Sequence, residues 1–166
     1  MKSKAKLLFY VVLFVMSLIL AAGLLRFFGV YVVYSPTDSI KKGFWLFHDC
    51  EEDELGAKGT YAQFPFDWDD MFVDENVSKY KFLIKEIVGV EGDAVKVVDG
   101  VVSVCPSDKT GECLEYERVW GVPFVDVEGI VSEGEIYMAG KTMNSFDSRY
   151  FGTIRKSQVT RCGAPL

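Results

Sequence analysis

Hydrophobic positions divide the chain into one long apolar run and a series of short ones. Residues 7–25 carry no charge. A run of that length can cross the hydrocarbon core of a membrane as a helix. Beyond it the apolar segments are short and rich in β-branched and aromatic side chains, which predicts strands. The predicted strands cover 30–34, 43–47, 60–64 and 135–139, with breaks at Ser35-Pro36, Pro65 and Gly140. Residues 94–98 and 101–104 flank Asp99-Gly100, the signal of a two-residue hairpin. Residues 81–93 form a further strand, in which Leu83, Ile84, Ile87 and Val88 surround Lys85. No long amphipathic helical pattern follows residue 25, and no repeat or low-complexity segment is evident. The pattern predicts a mainly β domain behind one N-terminal transmembrane helix.

Other segments are less regular. Residues 49–54 read as an acidic, solvated loop. Residues 66–79 mix Asp67, Asp69, Asp70, Asp74 and Glu75 with Phe66, Trp68, Met71 and Phe72. The ligand spacing of an EF-hand is absent there, so a surface loop with aromatic anchors is expected, near substrate or the membrane interface. Residues 120–131 hold short apolar pieces broken by Gly121, Pro123 and Gly129. The stretch 144–152 is polar and aromatic, and the tail carries only Ile154, Val159 and Pro165 as marks.

Charge and cysteine content narrow the picture. The 166-residue chain has a net charge of −6 and no basic stripe, which argues against a nucleic-acid partner. Lys2, Lys4 and Lys6 precede the apolar run, and an acidic domain follows it. The expected organisation is a cytoplasmic N-terminus at 1–6, a transmembrane anchor at 7–28 and an extracytoplasmic domain at 29–166. A removable secretory signal competes with the anchor, with Ala21, Ala22 and Gly23 as a processing site. The length of the run, and its continuation through Phe27, Phe28 and Val30, favours the anchor. Four cysteines fit an oxidising compartment. Cys105 and Cys113 bracket a short polar loop and can close it, leaving Cys50 and Cys162, but other connectivities stay open. A zinc site lacks close cysteine pairs and has only His48 as an imidazole, so no metal or cofactor is expected.

The chemistry starts from Lys85. An ammonium inside an apolar run either faces water from one side of a half-buried strand, or is buried and tends to lose its proton. A neutral lysine can take the proton of a hydroxyl. Such catalysis needs a reachable serine, oxyanion donors and a group that orients the lysine. Ser39 and the cluster of Ser145, Asp147, Ser148 and Arg149 are the candidates. Each has an ordinary alternative. Ser39 can be a turn residue, Ser145 and Asp147 can stabilise a tight loop, and Asp147 with Arg149 can be a structural ion pair.

Four blocks carry a resemblance. They are Thr37-Asp-Ser-Ile-Lys-Lys-Gly-Phe-Trp45, Lys58-Gly-Thr-Tyr-Ala-Gln-Phe-Pro65, Leu83-Ile-Lys-Glu-Ile-Val-Gly-Val-Glu-Gly-Asp93, and the stretch from Gly134 to Gly152 with Asn-Ser-Phe-Asp-Ser-Arg-Tyr-Phe-Gly. In this order, directly after an apolar segment, they resemble the signal peptidase I family of membrane-anchored serine peptidases. Within it they are most similar to the TraF-type maturation peptidases of bacterial conjugation. The resemblance implies Ser39 as nucleophile and Lys85 as general base. It implies Ser145 as the hydroxyl that orients the lysine, and Thr37 with the Ser39 N–H as the oxyanion hole. Asp147 and Arg149 would support the active-site loop, and Cys105 and Cys113 would close a hairpin extension. The implied fold is an all-β catalytic domain on the outer, periplasmic face of the bacterial inner membrane. The implied partners are exported preproteins, a pilin or conjugative-transfer precursor among them, cut after small residues, and the transfer or secretion apparatus.

The chain departs from the family pattern at several positions. Lys41 stands where proline is usual, Thr60 replaces an aspartate, Glu86 an arginine and Glu91 a proline. Gly140-Lys-Thr-Met replaces Gly-Asp-Asn at the opening of the last block. No catalytic group is lost. A carboxylate beside the base would raise its pKa, but alternation along a strand should turn Glu86 away from Lys85. The departures motivate a second reading, a non-catalytic membrane-anchored β domain that assists assembly of a conjugation or secretion machine. A self-cleaving repressor-type peptidase also uses serine and lysine, but the anchor and the lack of a DNA-binding segment argue against it.

Overall fold

The computed structural model describes residues 2–66, 81–108, 111–119 and 127–166. The expected loop at 66–79, apart from Phe66, and residues 120–126 of the broken apolar stretch lie outside them. Helix α1 spans Lys2–Phe27, and its stretch Lys4–Phe27 is long and apolar enough to cross a membrane. None of that stretch is buried against the rest of the chain. The helix stops at Gly29, whose φ of 70° places it in the left-handed region. Gly29 N–H donates to Arg26 O at 3.1 Å and Val30 N–H to Leu25 O at 2.9 Å. These two bonds satisfy carbonyls that a helix end leaves bare, and they turn the chain into the first strand.

Eleven strands follow among the described residues. They are β1 (Tyr31–Ser35), β2 (Gly43–His48), β3 (Tyr61–Pro65), β4 (Phe82–Gly89), β5 (Ala94–Val98), β6 (Val101–Cys105), β7 (Leu114–Glu117), β8 (Gly129–Ile130), β9 (Glu135–Ala139), β10 (Ile154–Arg155) and β11 (Arg161–Pro165). A seven-stranded sheet runs β1-β2-β11-β3-β4-β9-β10, and a four-stranded sheet runs β7-β6-β5-β8. The recorded pairings are antiparallel. This is the mainly β class expected, with one N-terminal apolar helix. The Asp99-Gly100 hairpin joins β5 to β6 with φ of 50° and 81°, the doubly left-handed turn that Asp-Gly favours.

Strands β4 and β9 form the spine. Ile87, Ile136 and Met138 point into one core cluster with Ala62, Phe64 and Leu83. Val88, Tyr137 and Ala139 point into another with Val95, Val102 and Val104 of the smaller sheet. Both faces of the pair are therefore covered, which is why the β4 sequence reads as a nearly continuous apolar run rather than an alternating one. The second face is close-packed at Gly89, where an added Cβ would stand 2.9 Å from Tyr137 Cβ and 3.0 Å from Val104 Cγ1.

Strand β11, not legible as a strand in the tail, lies inside the large sheet between β2 and β3. It joins the β1–β2 hairpin to the spine. Cys162 in β11 is disulfide-bonded to Cys50 just after β2, and Cys105 to Cys113. The first bond spans 112 residues, so it restricts the unfolded chain strongly. Replacing Cys50 and Cys162 together by serine is expected to lower the unfolding free energy by ~2–5 kcal/mol. Denaturant titration of the oxidised protein against the double variant measures it.

Candidate active site

Lys85 sits at the middle of β4, on the face that carries Leu83 and Ile87 and opposite Ala62 of β3. It is only 4% exposed. Burial lowers its pKa from the usual 10.5 to about 8. The charge of Asp147 opposes that shift and the charge of Arg149 adds to it. Its hydrogen-bond partner among the described residues is neutral, the Ser145 hydroxyl at 2.9 Å. Glu86 is directed elsewhere and accepts a 2.7 Å bond from the Tyr61 hydroxyl. Burial, then the bond to Glu86 and its charge, push the Tyr61 pKa up.

Ser145 is held by the loop that follows β9. Asp147 caps the short helix α2 (Ser148–Phe151), accepting from Arg149 N–H at 3.2 Å. The same carboxylate accepts Gly140 N–H at 2.8 Å and two guanidinium bonds, from Arg149 Nε at 2.7 Å and Nη2 at 2.6 Å. Arg149 also donates to the carbonyls of Thr142 at 2.9 Å, Ser145 at 3.1 Å and Glu117 at 2.6 Å. Both residues of the pair are essentially inaccessible to solvent. Burial would lower the Arg149 pKa, but the bonds to Asp147 and its charge raise it on balance. The loop is built around this pair.

Ser39 lies in the turn between β1 and β2. Its hydroxyl is 2.9 Å from that of Thr37. Its carbonyl accepts Lys141 N–H at 2.8 Å, which fixes the turn against the end of β9. Gly140 is the contact point. A Cβ there would stand 2.8 Å from Ser39 O and 2.7 Å from Ser145 Cβ, with the Ser145 hydroxyl closer still. Thr37, Ser39, Lys85 and Ser145 all line one cleft of about 730 Å³. Its walls are largely apolar, with Val33, Ile40, Phe82, Ile84 and Phe146 among them. The structure thus gathers these four sequence-predicted residues in one cleft and places Asp147 and Arg149 behind it. It does not bond Ser39 to Lys85. The Ser39 hydroxyl is turned to Thr37 and the lysine to Ser145. Cys105 and Cys113 close the end of the β6 extension and are not among the residues lining the cleft.

A family model described as signal peptidase, peptidase S26, matches residues 5–162. The chain belongs to that family. Among solved structures, the chain is similar to a signal peptidase I from Enterococcus faecalis V583. The identity is 16%, the match covers 72% of this chain and 95% of that one, and the TM-score is 0.38. No curated protein matches the sequence. As a family member the chain is a serine peptidase of exported proteins, and α1 fits membrane anchoring.

Two features of the site were not singled out from the sequence. Gly140 was read as the end of a strand and as part of the departing Gly140-Lys-Thr-Met stretch of the last block, not as the place where the backbones of two site loops meet. The Tyr61–Glu86 bond spans neighbouring strands and follows from the register Tyr61↔Glu86, which no local pattern reveals. Gly140→Ala is expected to push Ser39 and Ser145 apart and to cut kcat/KM on a precursor peptide by ~100-fold, since small misplacements of reacting groups are costly. Peptide hydrolysis, with a thermal melt showing that the variant is folded, checks it.

Proposed function

We propose that this member of the family is a Ser/Lys endopeptidase with Ser39 as nucleophile and Lys85 as general base. The observation that carries the reading is a lysine buried from solvent, hydrogen-bonded to a neutral hydroxyl, in the same cleft as the serine. Rotation of the Ser39 side chain away from Thr37 would turn its Oγ toward the lysine. Lys85 Nζ then takes the Ser39 proton as Oγ bonds to the scissile carbonyl carbon. The Thr37 hydroxyl and the Ser39 N–H receive the developing oxyanion, an effect of ~3 kcal/mol per donor. As the peptide C–N bond breaks, the leaving amine takes the proton from Lys85. Water, deprotonated by the same lysine, releases the acyl group. Ser145 holds the lysine in line, and Asp147 with Arg149 holds Ser145.

The substrate class within exported proteins follows from the resemblance, a pilin or another conjugative-transfer precursor cut after a small residue. Residues 1–6 would be cytoplasmic, 7–28 the anchor, and 29–166 the periplasmic catalytic domain at the bacterial inner membrane. Anchoring concentrates the enzyme beside membrane-held precursors.

Two predictions follow from the dyad. Ser39→Ala and Lys85→Ala each abolish precursor processing, and Lys85→Arg, which stays charged, does not restore it. Processing at the wild-type rate in either alanine variant sinks the dyad and leaves the assembly-factor reading. The second concerns pH. The base acts when neutral, and burial brings the Lys85 pKa to about 8. The kcat/KM of the wild type is expected to rise ~10-fold per pH unit below that value and to level off above it. A profile that is flat from about pH 6.5 to 9 contradicts the assignment.

A further inference from the structure

The cleft contains a buried amide that the chemistry above does not use. Gln63 of β3 lines it, beside the apolar Ile84 that is its register partner on β4. Ile84 adjoins Lys85 in sequence. Gln63 is 5% exposed, and its Oε1 has no hydrogen-bond partner among the described residues. Burying an amide oxygen without a donor is costly, and such atoms are rare in folded proteins. The side chain cannot escape by a strand shift. The Gln63 carbonyl accepts both Thr160 N–H at 2.8 Å and Thr160 Oγ1 at 3.0 Å. Its register partner on β11, Arg161, lies with its guanidinium 3.7 Å from the centre of the Tyr31 ring, and Arg161 Nε is also without a hydrogen-bond partner among the described residues.

We propose that Gln63 is a specificity-determining residue, whose Oε1 accepts a hydrogen bond from a hydroxyl- or amide-bearing side chain of the precursor seated in this cleft. The inference rests on the peptidase reading and sharpens its substrate class. An apolar wall alone discriminates weakly between side chains of one shape. A buried acceptor penalises every substrate that leaves it unpaired. Precursors presenting serine, threonine or asparagine at the position that reaches Gln63 are favoured over alanine, valine or leucine of similar size. The contact lies beside Ile84 rather than at Ser39, so the residue it reads is one flanking the cut, not the residue whose carbonyl is attacked.

The test uses full-length protein in detergent and internally quenched peptides with alanine immediately before the cut. Each of the positions further before the cut is varied in turn as threonine against valine and asparagine against leucine. At one position the wild type is expected to favour the donor-bearing member of each pair by ~10-fold in kcat/KM. In Gln63→Met, which keeps the length but removes the amide, that ratio should fall to about one or invert. A thermal melt confirms that the variant is folded, and Gln63→Leu serves if it is not. Wild-type cleavage with no donor preference at any position overturns the proposal and leaves the dyad standing. A preference that persists unchanged in the variants also overturns it, and so does a Gln63 amide engaged only with Arg161. Failure of the wild type to cleave any peptide, with Ser39 unmodified by a serine-acylating inhibitor, overturns the peptidase reading and this inference together.

Discussion

The buried ion pair between Asp147 and Arg149 is the contact on which the cleft depends. Taking both charges out of water is expensive, and the attraction between them does not by itself recover the cost. Here the remaining polar capacity is also used. The carboxylate accepts two backbone N–H groups, and the guanidinium reaches the carbonyls of Thr142, Ser145 and Glu117. Those bonds come from three separate parts of the chain. They close the loop after β9, fix its Ser145, and tie it to β7 of the smaller sheet. A pair of apolar side chains could fill the same volume, but could not set the path of the backbone.

Lys85 is the second cost, and it is carried by the spine. Lowering its pKa from 10.5 to about 8 means that the folded protein binds the proton less well than the unfolded chain does. Below pH 8 this penalty amounts to ~3 kcal/mol, and stability rises as pH climbs from 8 toward 10.5. The penalty is tolerable because β4 is among the most heavily buried strands, apolar on both faces. The site is therefore placed where the fold has stability to spare. Gly140 completes the arrangement by letting the turn of Ser39 and the loop of Ser145 meet without a side chain between them.

Much of this was legible where the signal is local. Asp99-Gly100 between two β-branched runs announced its hairpin, and the strands at 43–47, 60–64 and 135–139 were read from apolar runs with turn residues at their ends. One short loop suggested the Cys105–Cys113 pair, while the connectivity of Cys50 and Cys162 stayed open until the sheet placed them together. What escaped was set by partners distant in sequence. Arg161–Pro165 has neither alternation nor branched residues, yet it is a central strand because β2 and β3 flank it and Cys162 is anchored to Cys50. The helix Ser148–Phe151 is too short for a period and exists through its Asp147 cap. The candidate site residues could be named from ordered blocks, but not the bond of Arg149 to Glu117, nor the orphaned amide of Gln63. Gln63 in particular looks like an exposed strand residue until the sheet closes around it.

The electrostatics of Lys85 can now be stated as a balance among three neighbours. A carboxylate in the place of Ser145 would raise the lysine's proton affinity and hold it protonated well above pH 8. A hydroxyl fixes its position while adding no charge, so burial governs its proton affinity. Asp147 is nevertheless close enough to act on the lysine, and its charge opposes what burial achieves. Arg149 acts in the opposite sense and lies against that same carboxylate. The ion pair thus has a consequence beyond shaping the loop. Arg149 offsets the charge of Asp147 at the lysine, and so links the architecture of the loop to the proton affinity of the strand beside it.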